Sequence, residues 1–403
     1  MYLTIMRPEI VDWVAMLSGG LGILHCDISR LDSTVLIIKA SKETILTARV
    51  NGEFKFYLAS VQIGGKSCLS VITAFFDDPD NPFTILSPLI VGERLPQDLE
   101  RLPDVFNVCF FDEQNREVFA CKADAELTDF RNALQACVKA ARSEGSHLME
   151  CAERWFAQRT ECDDLKAFTV KLNDTLCPRE LAHYNLREDD HRYLGSRSFS
   201  CTTLRRPEPG PQQESDIVML LQRVYAPSRI VHSPTKVTDN EELVDIAVAG
   251  AHYTLLIQAK DSPNTDQTLR TSLARKQSKS VSQLKGGLSQ LGGAVSCIRR
   301  TTSLELKLAE KDKLDIDLSA RPLIGVVIVK ELFPGKFDAY SDLAIKTMKK
   351  LRLPVVFFDY PEFERMTRHC TSEAELISAF DQILGVATET GIYPRISFDT
   401  SQA

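Results

Sequence analysis

The chain has 403 residues, 44% of them hydrophobic and 26% charged, with a net charge of -7. At roughly 150 residues per domain this length predicts two or three domains, and the composition is that of a globular protein able to bury real cores rather than a disordered one. The acidic balance excludes a protein whose whole surface coats nucleic acid, although a local basic patch stays open.

No run approaches the roughly 18 consecutive apolar residues of a membrane span, and Arg7, Pro8, Glu9 and Asp12 interrupt the N-terminal segment where an export signal would need an apolar stretch. A cytoplasmic location with no membrane partner is the expectation. Eleven cysteines are scattered without a CxxC pair, so they are expected to be reduced and partly buried. A zinc site from Cys177, His183 and His191 matches no standard spacing.

Pro8 to Leu17 predicts a short helix stopped by Ser18-Gly19-Gly20. Short β-branched or aromatic runs then predict strands over 33–40, 44–50, 53–61, 68–76, 105–111 and 117–122. Asn51-Gly52 reads as a hairpin turn, and Gly64-Gly65 as a weaker one. Residues 1–125 are therefore expected to form an α+β domain rich in short antiparallel strands. Helical spacing through Phe130, Leu134, Val138, Leu148, Cys151 and Trp155 makes 126–185 a helical segment packed on it. Residues 186–213 turn polar and proline-rich, as a linker would.

Beyond it, 214–403 alternates strands and helices. A helix over 214–225 precedes strands over 229–233, 243–249 and 253–260; a long helical region over 268–298 precedes strands over 323–330 and 354–360, with a helix over 341–351 between them. This order predicts an α/β domain whose mixed sheet is covered on both faces.

The hairpin from Leu243 to Lys260 carries the chemistry. Alternation puts Asp245 on one strand face, with Gln258 and Lys260 sharing a face of the next strand. A divalent-metal phosphodiesterase needs a fixed carboxylate, further oxygen ligands and a cation beside the scissile phosphate. Asp245, the Gln258 side-chain carbonyl and the Ala259 backbone carbonyl would serve as ligands to Mg²⁺ or Mn²⁺, with Lys260 stabilising charge. The bland alternative is chance spacing with a strand-end lysine that reaches for water.

Val244-Asp245, twelve intervening residues and Gln258-Ala259-Lys260 resemble the PD-(D/E)xK restriction-endonuclease-like nucleases, and more narrowly the Mrr-like branch in which glutamine replaces the acid of the second motif. The resemblance covers roughly 207 to 390 as architecture, an αβββαβ core, and is sharp only at the hairpin. It implies a DNA endonuclease of prokaryotic restriction or anti-phage defence, with Asp245 and Gln258 at the metal, Lys260 catalytic, and Glu214 as the helix-borne acid. Asp216 or Glu242 could fill that last role. Val244 stands where the family has proline.

Downstream, Arg270, Arg275, Lys276, Lys279, Lys285, Arg299 and Arg300 face only Asp266 as an acidic neighbour between 264 and 300. Such a run suits phosphate-backbone contact, or is a solvated helix face. Gly286-Gly287 and Gly292-Gly293 inside that helix suit close packing. Asp359 and Glu362 are expected to cap a helix, and His252 to be a turn residue. Two rival functions stay open: a nuclease fold that binds nucleic acid or protein without cutting, and an assembly protein that forms homo-oligomers through its N-terminal domain.

Overall fold

The computed structural model describes residues 3–17, 20–28, 31–177, 181–300, 305–308, 313–314 and 317–395. Ser18 and Gly19 of the expected helix stop, and the side chain of Cys26, lie outside them; the other ten cysteines are free thiols.

After two short helices, α1 (Leu3–Met6) and α2 (Ile10–Ala15), the first half builds one eight-stranded sheet. Its strands are β1 (Leu21–Ile28), β2 (Leu31–Lys39), β3 (Glu53–Ile63), β4 (Lys66–Phe75), β5 (Phe83–Pro88), β6 (Val105–Phe111), β7 (Glu117–Asp124) and β8 (Phe168–Thr175). They lie in the order β1-β2-β6-β7-β8-β3-β4-β5, antiparallel except for the β2–β6 pair. Helices α3 (Lys42–Asn51), α4 (Arg94–Leu99), α5 (Thr128–Ala136), α6 (Gly145–Ala157) and α7 (Glu161–Leu165) complete this half. Strand alternation sends Phe54 and Phe56 into the main N-terminal core, where Phe56 stacks on Phe130 of α5, and Tyr57 to the opposite face, edge-on to Phe156 of α6.

Three expectations are corrected here. Residues 44–50 form part of helix α3, not a strand: Ser41 caps it by accepting from the Thr44 N–H, and Gly52, at φ 69°, ends it. Asn51-Gly52 is thus a helix stop rather than a hairpin turn, the left-handed backbone serving either purpose. Burial along nearly the whole helix outweighs the β-propensity of Thr44, Ile45, Thr47 and Val50. Second, 126–185 is helical only to Leu165; Phe168–Thr175 is the strand β8 inserted between β7 and β3. Third, 186–213 is an ordered part of both halves. Within it β10 (Ser200–Thr203) pairs with β9 (Ala182–Asn185), Tyr193 enters the C-terminal core, and Leu204 enters the N-terminal one.

The second half opens with α8 (Gly210–Leu221). Its sheet runs β11 (Ile230–His232), β13 (Ile246–Ala249), β14 (Thr254–Lys260), β17 (Leu323–Val329), β18 (Val355–Asp359), the first three antiparallel and the last three parallel. Two-residue strands β12 (Thr235–Lys236), β15 (Leu306–Lys307) and β16 (Lys313–Leu314) form a small separate sheet. Between β14 and β17 the chain forms α9 (Asp266–Leu269) and the 28-residue α10 (Leu273–Arg300); α11 (Phe337–Leu351) joins β17 to β18, and α12 (Tyr360–His369) and α13 (Glu373–Thr390) follow.

Helices α10 and α11 cover one sheet face, where Leu291 lies against Gly325 and Tyr340 against Phe357. Phe358 turns to the other face, near Phe363 of α12 and stacked on Phe380 of α13. As expected, Asp359 caps α12 by accepting from the Glu362 N–H, and His252 lies in the β13–β14 turn, its N–H bound to Glu373. Overall the protein is mixed α/β, and among the described residues no helix is long and apolar enough to cross a membrane.

Candidate active site

Strand register brings the hairpin residues together. The last laddered pair of β13 and β14 is Ile246 with Ile257, so Asp245 and Gln258 stand opposite each other one step beyond it, on one face. Lys260 follows on that same face. Asp245 precedes the strand instead of lying within it, its carbonyl accepting from the Ser233 N–H at 2.8 Å.

Three groups of β14 satisfy the Asp245 carboxylate. The Ala259 N–H donates to Oδ2 at 2.7 Å and Lys260 Nζ lies 3.8 Å from the same oxygen. Oriented as its acceptor neighbours favour, the Gln258 amide nitrogen donates to both oxygens at 3.1 Å, and to Gln290 Oε1 on α10 at 3.0 Å. Burial pushes the Asp245 carboxyl above its usual range, against the pull of Lys260 and the Ala259 N–H. Glu242 is also pushed up, by burial first and then by the charges of Asp245 and Glu214. A carboxylate cluster of this kind is relieved by a cation.

The site opens into a cleft of about 500 Å³ whose walls include Glu242, Asp245, Gln258, Gln290, Cys297 and Arg300. Lys236, also in the wall, is tied to Asp239 and Glu241. The stem of Lys260 runs along α10 where Gly287 lets the helix approach: a Cβ at Gly287 would stand 2.6 Å from Val327 Cγ1 and 3.5 Å from Lys260 Cγ.

Glu214 meets His232 Nε2 at 2.9 Å, and its charge pushes both the Asp245 and Glu242 carboxyls up, so it stands near the carboxylates without lining the cleft. Asp216 is buried in an ion network with Lys42 and Arg116. Of the three acids weighed for the helix-borne position, Glu242 alone lines the cleft. Arg270, Arg275, Lys279 and Lys285 are exposed, but Lys276 is committed to Asp77 and Glu43 of the N-terminal half. At 1.5 Å per residue Arg275 lies about 22 Å along α10 from Gln290, whereas Arg300 is in the cleft itself. The components of a zinc site are dispersed: Cys177 contacts Ala120, His183 the Glu117 carbonyl, and His191 the Asn185 carbonyl.

Sequence reading missed Gln290 and His232. Gln290 had a signal, since Gln283, Gly287, Gln290 and Ala294 form a polar-and-small stripe at helical spacing, and Gln283 too bonds back to the end of β14, at the Asp261 carbonyl.

As to a metal, no group of three or more His, Cys, Asp or Glu side chains among the described residues is arranged to hold one. Mg²⁺ needs fewer, since it binds through one or two carboxylates and keeps several waters. Asp245, Glu242 and Gln258 line one cleft, with Glu242 close enough to feel the Asp245 charge, and so fit such an ion with the Gln258 carbonyl turned toward it; the Ala259 carbonyl is the further oxygen that the resemblance implies. No family model, curated protein or solved structure matches the chain.

Proposed function

We propose that the C-terminal half is a metal-dependent endonuclease that hydrolyses DNA phosphodiester bonds on a restriction-endonuclease-like core, serving restriction or anti-phage defence. The observation that carries this reading is the convergence of Asp245, Gln258 and Lys260 on one sheet face, with Asp245 and Gln258 in the wall of an open cleft and Lys260 Nζ 3.8 Å from the Asp245 carboxylate. The order α8, β11, β13, β14, α10, β17 supports it as an αβββαβ arrangement.

In this reading Asp245 and Glu242 hold Mg²⁺ or Mn²⁺, with Gln258 and Ala259 offering carbonyl oxygens. The bound ion supplies charge neutralisation and an acidified water. Lys260, half of a pair with Asp245, is positioned to shift its ammonium toward a phosphate oxygen and offset the charge that builds there. The buried stem of Lys260 against Gly287 limits where that ammonium can go. Gln258 spans Asp245 and Gln290 and so sets the carboxylate's orientation. Exposed Arg270, just before α10, and Arg275, Lys279 and Lys285 along its first half serve backbone contact, and Arg300 does so within the cleft.

One observation favours a second reading, a nuclease-like fold that binds without cutting. With Gln258 oriented as its acceptor neighbours favour, its nitrogen rather than its carbonyl meets Asp245, so the cluster is satisfied by its own residues. Purified protein incubated with plasmid and linear DNA in Mg²⁺ or Mn²⁺, with EDTA and Lys260→Ala controls, separates the two. Cutting that needs metal and Lys260 is the expected result. Binding without cutting under either ion selects the second reading.

A further inference from the structure

The two halves have largely separate apolar cores, with Leu204 and Leu269 of α9 reaching into the N-terminal one, and beside that apolar contact the junction is ionic. At one point Lys42 of α3 reaches Asp112 at 3.0 Å and Asp216 of α8 at 3.4 Å. Arg116 completes the square, its Nε 2.7 Å from Asp112 and its two terminal nitrogens 2.9 and 3.1 Å from the Asp216 oxygens. Lys42, Asp112 and Asp216 are almost wholly buried. At a second point Glu43, next along α3, meets Lys330 at 3.2 Å, and Lys276 of α10 pairs with Asp77. Between the two points the Asn264 amide, fully buried, donates to the Lys42 carbonyl at 3.2 Å and the Leu204 carbonyl at 2.8 Å.

The partners on the C-terminal side are the neighbours of the candidate site. Asp216 lies two residues beyond Glu214 on α8, and Asn264 four residues beyond Lys260. Asp261, the residue after Lys260, is buried with its nearest cation, Arg206, 3.4 Å away. Lys330 follows β17, the strand paired with β14, and its N–H donates to the Lys260 carbonyl at 3.0 Å.

Such a junction differs from a fused core. Replacing a buried ion pair by apolar packing is often neutral or stabilising, whereas removing one partner is strongly destabilising. Here Arg206 and Asp261 form a buried pair at 3.4 Å, so opening or closing the junction exchanges charge contacts for solvation rather than apolar area. A contact with large opposing terms and discrete partners is suited to two states.

We propose that this ionic junction is a latch through which the N-terminal half controls the placement of Lys260 and Glu214. Its consequence for cutting rests on the nuclease reading; the coupling itself does not. The test is hydrogen exchange on the full chain, comparing Asp77→Lys, Lys276→Asp and the double swap, all in a Glu43→Gln background so that the reversed pair does not face the carboxylate that also meets Lys276. Each single swap should speed exchange at least about tenfold in 260–269 and 210–221, and the double swap should bring it back.

Asn264→Ala provides a second route that leaves every charge in place, with the same rise expected in 260–269. Exchange that changes only beside residues 77 and 276, or that the double swap fails to restore while both single swaps remain folded, overturns the latch. Should the single swaps unfold, an Asn264→Ala chain with undisturbed exchange in 260–269 overturns it equally. If the chain cuts DNA, cutting by the single swaps should change in step with exchange. A chain that never cuts leaves the exchange result to decide the latch alone.

Discussion

At the scale of the residue, Gln258 is the position on which the site turns. In the orientation its acceptor neighbours favour, its amide nitrogen donates to both Asp245 oxygens, doing for the carboxylate part of what a cation would do. Gln258→Glu removes those donors and sets a second carboxylate against one whose pKa burial already raises. The metal-free protein should lose about 1 kcal/mol in urea unfolding, while Mn²⁺ affinity by calorimetry should rise about tenfold, since a carboxylate binds a hard cation better than an amide. Unchanged affinity would remove Gln258 from the metal site. Lys260→Ala tests the other half of the cluster. Loss of a preorganised charge beside the reacting group should cost about 100-fold or more in cutting rate, with circular dichroism unchanged and a modest fall in melting temperature, because the largely buried Asp245 carboxylate loses its cation.

Elements decide whether those residues meet, and α10 matters most because it lies along β14 and β17. Gly287 sets its approach. With 2.6 Å between a new Cβ and Val327 Cγ1, Gly287→Ala must push the helix outward or distort Val327, at a cost of about 1 to 3 kcal/mol that exceeds the gain in helix propensity. Gly293→Ala, where a Cβ meets nothing within 4 Å, should instead stabilise by up to about 1 kcal/mol. Urea unfolding of the two variants reads the difference, and equal effects would disprove the close approach. The hairpin and the helix were legible in sequence because β14 is apolar up to Gln258, and period-2 alternation fixes which residues share a face. Helix α3 was not, since Thr44, Ile45, Thr47 and Val50 carry strand propensity and only tertiary burial makes them helical. The partners of Lys276 and Asp216 were equally hidden: Asp77 and Arg116 are 199 and 100 residues away in sequence, and no local pattern encodes such pairings. Glu214 was found as a helix acid, but its hydrogen bond to His232 depends on the fold of β11 against α8.

For the whole molecule, the junction between the halves makes stability depend on pH in a definite direction. Burial and the neighbouring Glu43 push the Glu331 carboxyl up to about 8; burial also pushes Glu113 up to about 7, against the pull of Lys42. Both folded values exceed the ordinary glutamate value of 4.5, so the folded state holds protons that the unfolded chain has released. The stability they contribute is complete below about pH 4.5 and is lost as pH rises through 7 and 8. Other groups act outside the upper part of that range. Asp112 and Asp216 are held below the ordinary aspartate value by Arg116 and Lys42, which outweigh burial, and lose their contribution only in acid. Burial lowers His183 and His369 from 6.5, so their cost is gone above that pH, and Lys39, lowered to about 8 by burial, recovers its cost only in more alkaline solution. Between pH 6.5 and 8 the two glutamates therefore govern the slope, and unfolding free energy should fall by about 1 kcal/mol across it, one pKa unit being worth about 1.4 kcal/mol before solvent screening. Glu331→Gln, neutral at every pH, should flatten the fall, which chemical denaturation at the two pH values measures. A slope that survives in Glu331→Gln combined with Glu113→Gln would place its origin away from the junction. With the slope abolished, the loosening at alkaline pH should also appear as faster hydrogen exchange in 260–269 of the unsubstituted chain but not of the doubly substituted one, because Lys330, whose N–H holds the Lys260 carbonyl, is the neighbour of Glu331.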